Sequence, residues 1–271
     1  MTVQDISTTE FTQAWADWHR EHETRRAAPD GFLAITSLRW LSPEPQRFDD
    51  APGAWTTGPG GPVVELADGE ELVIGGTAVH GRHEFGPIPE RGGISAVTGD
   101  AVIEVARRGG NDIVRPRHPE HSIRVRYTGT PAFAPSQQWV VPARFVPFAE
   151  PQPVTVGSVV DELRHIYDAQ GVLEFELAGQ QLKLTAFSGH VPGTLSVLFT
   201  DATSGVTTYP ASRSLQVAAP AADGSTTLDF NRAVNLPCAY TPFATCPLPP
   251  AGNRLPVAVE AGEQQPPARA E

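Results

Sequence analysis

The chain has 271 residues, 40% of them hydrophobic, and a formal net charge of −11 at pH 7. That is enough chain for a large buried core in one or two domains. Lys183 is the only lysine and the arginines are scattered, which excludes the clustered cations that nucleic-acid binding needs, and no apolar run reaches membrane-spanning length.

Met1 to Ile6 lack the basic and apolar regions of a secretion signal, and two cysteines do not make a disulfide framework. A reducing, cytoplasmic setting is expected. Ser7-Thr8-Thr9-Glu10 reads as a capping box, with Ile6 and Phe11 placed for a hydrophobic staple. Phe11, Trp15, Trp18 and His22 then recur at helical spacing among Asp17, Arg20, Glu21 and Glu23. This predicts one amphipathic helix to about Arg26, its tryptophans packed into the core. Ala27-Ala28-Pro29-Asp30-Gly31 ends it.

From Phe32 to Leu41 the period changes to two, as in a strand. Residues 43–62, rich in Pro and Gly around Trp55, read as a surface loop. Ala67-Asp68-Gly69-Glu70 signals a hairpin between Val63–Leu66 and Glu71–Ile74. Further strands are predicted at 78–85, 94–97, 101–107, 112–115 and 123–127, then at 139–148 and 154–156. Segments 163–168, 172–177 and 181–187 form the clearest meander. There Leu173, Phe175 and Leu177 share one face and Leu182, Leu184 and Ala186 repeat the pattern. Strands are predicted last at 195–201, 213–217, 226–231 and 256–260.

Many short strands, one helix and no crossover helices point to a mainly β protein. The expected architecture is an antiparallel, strongly curved sheet, a barrel or a sandwich. A helix over 1–26 packs on the core, a single β-rich domain covers 27–263, and 264–271 form a disordered tail.

The densest chemistry lies near the end. Asp229-Phe230-Asn231-Arg232 leads into Asn235, Cys238 and Cys246, among Pro237, Pro242, Pro247, Pro249 and Pro250. Prolines fix a path that cannot join a sheet ladder, so this loop can hold polar groups in place. If Leu228 and Phe230 pack inward, Asp229 and Asn231 share the other strand face. A carboxylate there needs a cation, and Arg232, Arg213 and Arg124 are the candidates. The expected ligand site is therefore Asp229, Asn231, Arg232, Asn235, Cys238, Arg213, Arg124 and Glu260. One arginine pairs with Asp229 and another is left for an anion. Asp201, opening Asp201-Ala202-Thr203-Ser204-Gly205, reads instead as a turn residue.

No metal and no cofactor is expected. Cys238 and Cys246 are too far apart for a zinc knuckle, and His80 and His83 fall on opposite strand faces. His118 and His121 share a turn and chelate weakly at best. There is no Gly-x-Ser-x-Gly elbow and no glycine-rich phosphate loop.

The closing segment resembles a family of bacterial proteins known as domain of unknown function 1684. The resemblance rests on Asp229-Phe230-Asn231-Arg232, Asn235, Pro237-Cys238-Ala239, Thr241-Pro242, the run Ala244 to Pro250, Asn253 and Glu260-Ala261-Gly262-Glu263. Phe199 to Gly205, Thr208-Tyr209 and Arg213 extend it, and Trp15, Trp18, Leu38-Trp40-Leu41, Arg124-Val125, Trp139 and Ala143-Arg144-Phe145 do so more loosely. Tyr127 stands where an acidic residue is usual, and Leu236 where a proline is. The resemblance implies no reaction and no catalytic residue. What the residues support is a pocket for a small polar or anionic molecule, with catalysis left open. The alternatives are a small-molecule hydrolase or transferase with Cys238 as nucleophile, helped by His190 or His165, and a non-catalytic module whose motif locks the C-terminus to the core.

Overall fold

A computed structural model describes residues 7–267. Over residues 27–263, where the sequence alone draws one β-rich domain, the apolar side chains gather into two separate clusters. The chain accordingly divides into two compact units. The first takes 7–24, 128–239 and 246–267; the second takes 25–127 and 240–245.

Helix α1 (Thr8–Arg26) opens with the expected capping box. Glu10 N donates to Ser7 Oγ at 3.3 Å, and Ser7 N donates to Glu10 Oε2 at 3.1 Å. Ile6 of the expected staple lies outside the described residues. The tryptophans are not core residues. Trp15 and Trp18 are half-buried, stacked on His19 at 4.8 Å and His22 at 5.5 Å between ring centroids. The helix thus turns an imidazole-bearing face inward, anchored where Trp15 Nε1 donates to Asn231 O at 2.8 Å.

The second unit contains β1 (Arg39–Trp40), β2 (Gln46–Phe48), β3 (Ala51–Gly58), β4 (Gly61–Glu65), β5 (Leu72–Ile74), β6 (Thr77–Val79), β7 (Arg82–Glu84), β8 (Gly93–Thr98), β9 (Ala101–Arg108) and β10 (Asn111–Arg117). They form two antiparallel sheets, ordered β1-β10-β9-β8-β5-β6 and β2-β3-β4-β7. Trp55 and Val64 from one sheet and Leu72, Ile103, Val105 and Val114 from the other fill a shared core, so this unit is a sandwich.

Several expectations are corrected here. Residues 32–41 are not one strand: Phe32–Ala34 is a 3-10 turn, and Leu33, Ala34 and Ile35 are buried in succession, without alternation. The presumed surface loop at 43–62 holds β2 and β3, with Trp55 fully buried. Its glycines serve the sheet. Gly53 has φ +85°, and a Cβ there would stand 2.4 Å from Val64 Cγ2. β4 and β5 lie in different sheets and make no hairpin; the single strand expected over 78–85 splits the same way into β6 and β7. Residues 123–127 are not a strand: helix α2 (Ser122–Val125) takes the first three, and Arg126 caps its end.

The first unit has one sheet, ordered β16-β11-β12-β13-β14-β15-β17. Its strands are β11 (Val140–Gly157), β12 (Arg164–Leu177), β13 (Gln180–Ser188), β14 (Leu195–Phe199), β15 (Arg213–Val217), β16 (Ser225–Asp229) and β17 (Val234–Asn235). The sheet is antiparallel and does not close into a barrel. The expected pairs 139–148 with 154–156, and 163–168 with 172–177, are each one long bent strand. The bend is a bulge: Pro147 opposes Gly171, but Gln152 opposes Ala169. Gly171 is required there, since a Cβ would stand 2.3 Å from Val146 O. Pro147 and Pro153 lie beyond the part of β11 that β16 pairs, so their missing N–H groups interrupt no ladder on that side.

The meander is as expected: Leu173 opposes Leu184 and Phe175 opposes Leu182. Strand β16 ends at Asp229, because Phe230–Arg232 turns into a 3-10 helix. The strand expected at 256–260 belongs to no sheet, yet Leu255, Val257, Val259 and Ala261 are buried alternately over the core. Gln264 and Gln265, placed by sequence in a disordered tail, donate to Pro131 O at 2.8 Å and Thr207 O at 2.9 Å.

One buried charge cluster gives the second unit a pH signature. Glu104 meets Arg115, Arg108 and Arg117. Burial acts to raise its pKa, but Arg115 and then Arg117 override that and hold it at about 2, against an ordinary 4.5. The folded-state pKa is depressed, so this stabilisation is present above pH 4.5 and is lost as pH falls toward 2. A shift of this size corresponds to about 3 kcal/mol. Glu104→Gln is therefore expected to lower urea stability by about 3 kcal/mol at pH 7, with the gap to the parent closing between pH 4.5 and 2. An equal gap at both ends of that range would contradict it.

Candidate functional site

The closing segment is held by polar groups that replace missing sheet contacts. Asp201, after β14, is buried, and its Oδ1 accepts from Thr203 N at 2.7 Å, as a turn residue does, and from Val259 N at 3.2 Å. Its Oδ2 accepts from Arg213 Nη2 at 2.6 Å. Arg213 is fully buried and also donates to the carbonyls of Val259, at 3.0 Å, and Ala261. Burial pushes its guanidinium below the ordinary value, while Asp201 and then Glu263 act against this. Arg213 is thus spent on an internal carboxylate and backbone carbonyls rather than offered to a ligand.

Asn253 acts in the same way where the sheet opens. β13 and β14 pair only at Phe187–Ser196 and Ser188–Leu195. Below that, the Asn253 side chain accepts from Thr185 N at 2.7 Å and donates to Thr185 O and Leu198 O, each at 2.9 Å. Its amide supplies the hydrogen bonds that the splayed strands cannot make to each other. Asn231 is a third such clamp: its Oδ1 accepts from Ser136 N at 2.9 Å and its Nδ2 donates to Ser136 O and Asp229 Oδ1.

The remaining sequence-derived site residues do not converge on one cavity. Asp229 is partly exposed and pairs with Arg232 Nε at 3.1 Å, and Arg232 lies 5.3 Å over Trp18. The expected pairing with an arginine is present, but at the surface, where it is worth at most about 1 kcal/mol. Asn235 is buried, with its Nδ2 donating to Gln264 O at 2.8 Å. Cys238 and Cys246 are adjacent buried thiols, Cys238 N donating to Cys246 Sγ at 3.3 Å. Glu260 is exposed. Arg124 belongs to the second unit, where it donates to Ala27 O and Pro119 O.

Beside this clasp the first unit assembles a group that sequence reasoning missed. One ligand atom each from His19, Glu23 and Glu263 come within 4.8 Å of one another. His22 Nε2 stands 3.6 Å from Glu263 Oε1, and Glu263 is almost completely buried. The signal in the sequence is His19 and Glu23 four apart on one helix face, whereas the helical spacing alone presents His22 as part of the apolar stripe and Glu23 as a polar flank.

A separate cleft of about 680 Å³ opens in the first unit where β11 and β12 bend. Phe145, Val146, Pro147, Val191 and Leu195 supply apolar wall, and Arg144, Gln170, Ser188, Thr194 and Asp223 supply polar groups. None of the sequence-derived site residues lines it.

Residues 125–264, just over half of the chain, match the family described as "Protein of unknown function (DUF1684)". The chain belongs to this family. The DUF1684 match takes in the whole sheet of the first unit and Glu263, but not α1. A solution NMR structure of an uncharacterized protein from Haloarcula marismortui is similar at 34% identity, over 54% of this chain and 80% of that one, with a TM-score of 0.44. No curated protein matches.

The clasp separates two kinds of acidic residue within the DUF1684 motif. Asp201→Asn strands a buried guanidinium and is expected to cost roughly 3–5 kcal/mol in urea unfolding. Asp229→Asn, at a half-exposed pair, is expected to cost no more than about 1 kcal/mol. Equal costs would show that the two carboxylates do not differ as their burial implies.

Proposed function

We propose that this protein binds a small organic molecule in the cleft of the first unit. The bound body is apolar and one end is polar or anionic. The observation that carries this is the cleft itself: at about 680 Å³ it falls within the usual range of small-molecule sites, with mostly apolar walls and a few polar groups. The bulge in β11 and β12 creates the hollow, and the loops at 188–194 and 220–224 border it. Arg144 supplies its positive charge, which also lowers the pKa of Glu174 and Asp223, in each case after their own hydrogen-bond partners.

The motif singled out by sequence then works behind the site, as the clasp that completes the unit's core. Cys238 gains little support as a nucleophile, since reactive cysteines are partly exposed and beside positive charge, whereas this one is buried against Cys246.

An amphiphilic anion such as anilinonaphthalene sulfonate tests the proposal by fluorescence titration, alongside native mass spectrometry of the purified protein. One saturable equivalent is expected. Ala222→Trp fills the cleft from an exposed position and should weaken binding about tenfold or more, at unchanged melting temperature. Arg144→Gln should weaken the anion more than a neutral analogue. Undiminished binding to Ala222→Trp would place the ligand elsewhere.

A further inference from the structure

The imidazole–carboxylate group beside the clasp brings one nitrogen and two carboxylate oxygens to within 4.8 Å of one another. His19 and Glu23 stand one helical turn apart on α1, and Glu263 reaches the same point from the closing segment. The two carboxylates are oriented alike. Glu23 Oε2 accepts from Thr130 N at 3.2 Å, and its Oε1 lies 3.9 Å from His19 Nε2. Glu263 Oε2 accepts from Asn235 N at 2.7 Å, and its Oε1 lies 3.6 Å from His22 Nε2. Each carboxylate thus has one oxygen fixed by a backbone N–H and the other turned toward an imidazole. This is the outer-shell support that orients metal ligands. The His19 ring is itself held flat against Trp15, at 4.8 Å and 9°.

We propose that His19, Glu23 and Glu263 bind one divalent first-row cation, with His22 at its flank. One nitrogen and two oxygen donors, without thiolate, suit Zn²⁺ or Mn²⁺, and two carboxylates match its charge. Around tetrahedral zinc, ligand atoms stand about 3.3 Å apart, for bonds of about 2.0 Å. The present separations, all within 4.8 Å, close to that by small side-chain rotations of the partly exposed His19 and Glu23, while Glu263 stays fixed. Three protein ligands leave a fourth position on the ion for water or another small ligand, as in catalytic rather than structural sites.

The test uses the full chain after chelator treatment and dialysis, titrated with Zn²⁺ and read by calorimetry, elemental analysis and melting temperature. One equivalent bound, with a raised melting temperature, is expected. His19→Ala, at a partly exposed helix position, should fold normally and lose affinity by about 100-fold or more, beyond the usual effect of losing an outer-shell partner. Glu263→Gln should do the same. If its buried position makes it unstable, His19→Ala decides alone. His80→Ala/His83→Ala, in the second unit, and Ala222→Trp, in the cleft, should bind zinc as the parent does. No stoichiometric zinc on the folded parent, or unchanged affinity in folded His19→Ala, would overturn the site.

Discussion

The first unit depends on the pairing of Asp201 with Arg213. Both groups are buried, and each alone would be too costly to bury, so they are stable only together and with their hydrogen bonds complete. Completion comes from the closing segment, which presents the carbonyls of Val259 and Ala261 to Arg213 and the N–H of Val259 to Asp201. The same segment carries Leu255, Val257, Val259 and Ala261 into the core. A polar constraint and an apolar one therefore fix a single path for residues that belong to no sheet.

That path explains why asparagines are so prominent in the motif. An open, bent sheet leaves backbone groups without strand partners, and each must be satisfied when buried. Asn253 and Asn231 do this with side chains that both donate and accept, which an aspartate or a leucine could not do. The clasp also brings Glu263 to α1, so the group proposed to hold a cation is a by-product of how the core is closed.

Much of the fold was readable where local rules act alone. The Ser7–Glu10 box, the length of α1 and the Leu173–Leu184 meander follow from spacing that needs no distant partner. Trp55 was not readable, because its Pro/Gly-rich surroundings imitate a loop, while Gly53 in fact makes room for Val64. The hairpin signal at 67–70 was a true turn, with Glu70 N donating to Ala67 O at 3.0 Å, but it joins two sheets, and sequence does not say which strands share a ladder. The closing segment was legible as a dense polar motif, but what its residues contact was not. Whether Arg213 serves a ligand or a carbonyl depends on contacts 46 and 48 residues away, with Val259 and Ala261. His19 and Glu23 gained meaning only when Glu263 arrived beside them.

The closing segment also has a temporal consequence. Trp15 reaches Asn231 across 216 residues, and residues 246–267 complete the unit to which 7–24 belong. During synthesis the sheet's strands leave the ribosome before the segment that satisfies their buried groups. Until then Arg213 has no carbonyls to meet, and the apolar face of the sheet lacks its cover. Contacts of such long range are slow to form, and the exposed intermediate is prone to associate with itself. This architecture makes the interval before residue 261 emerges the stage at which the half-built sheet is most exposed, and at which a chaperone holding it would matter most.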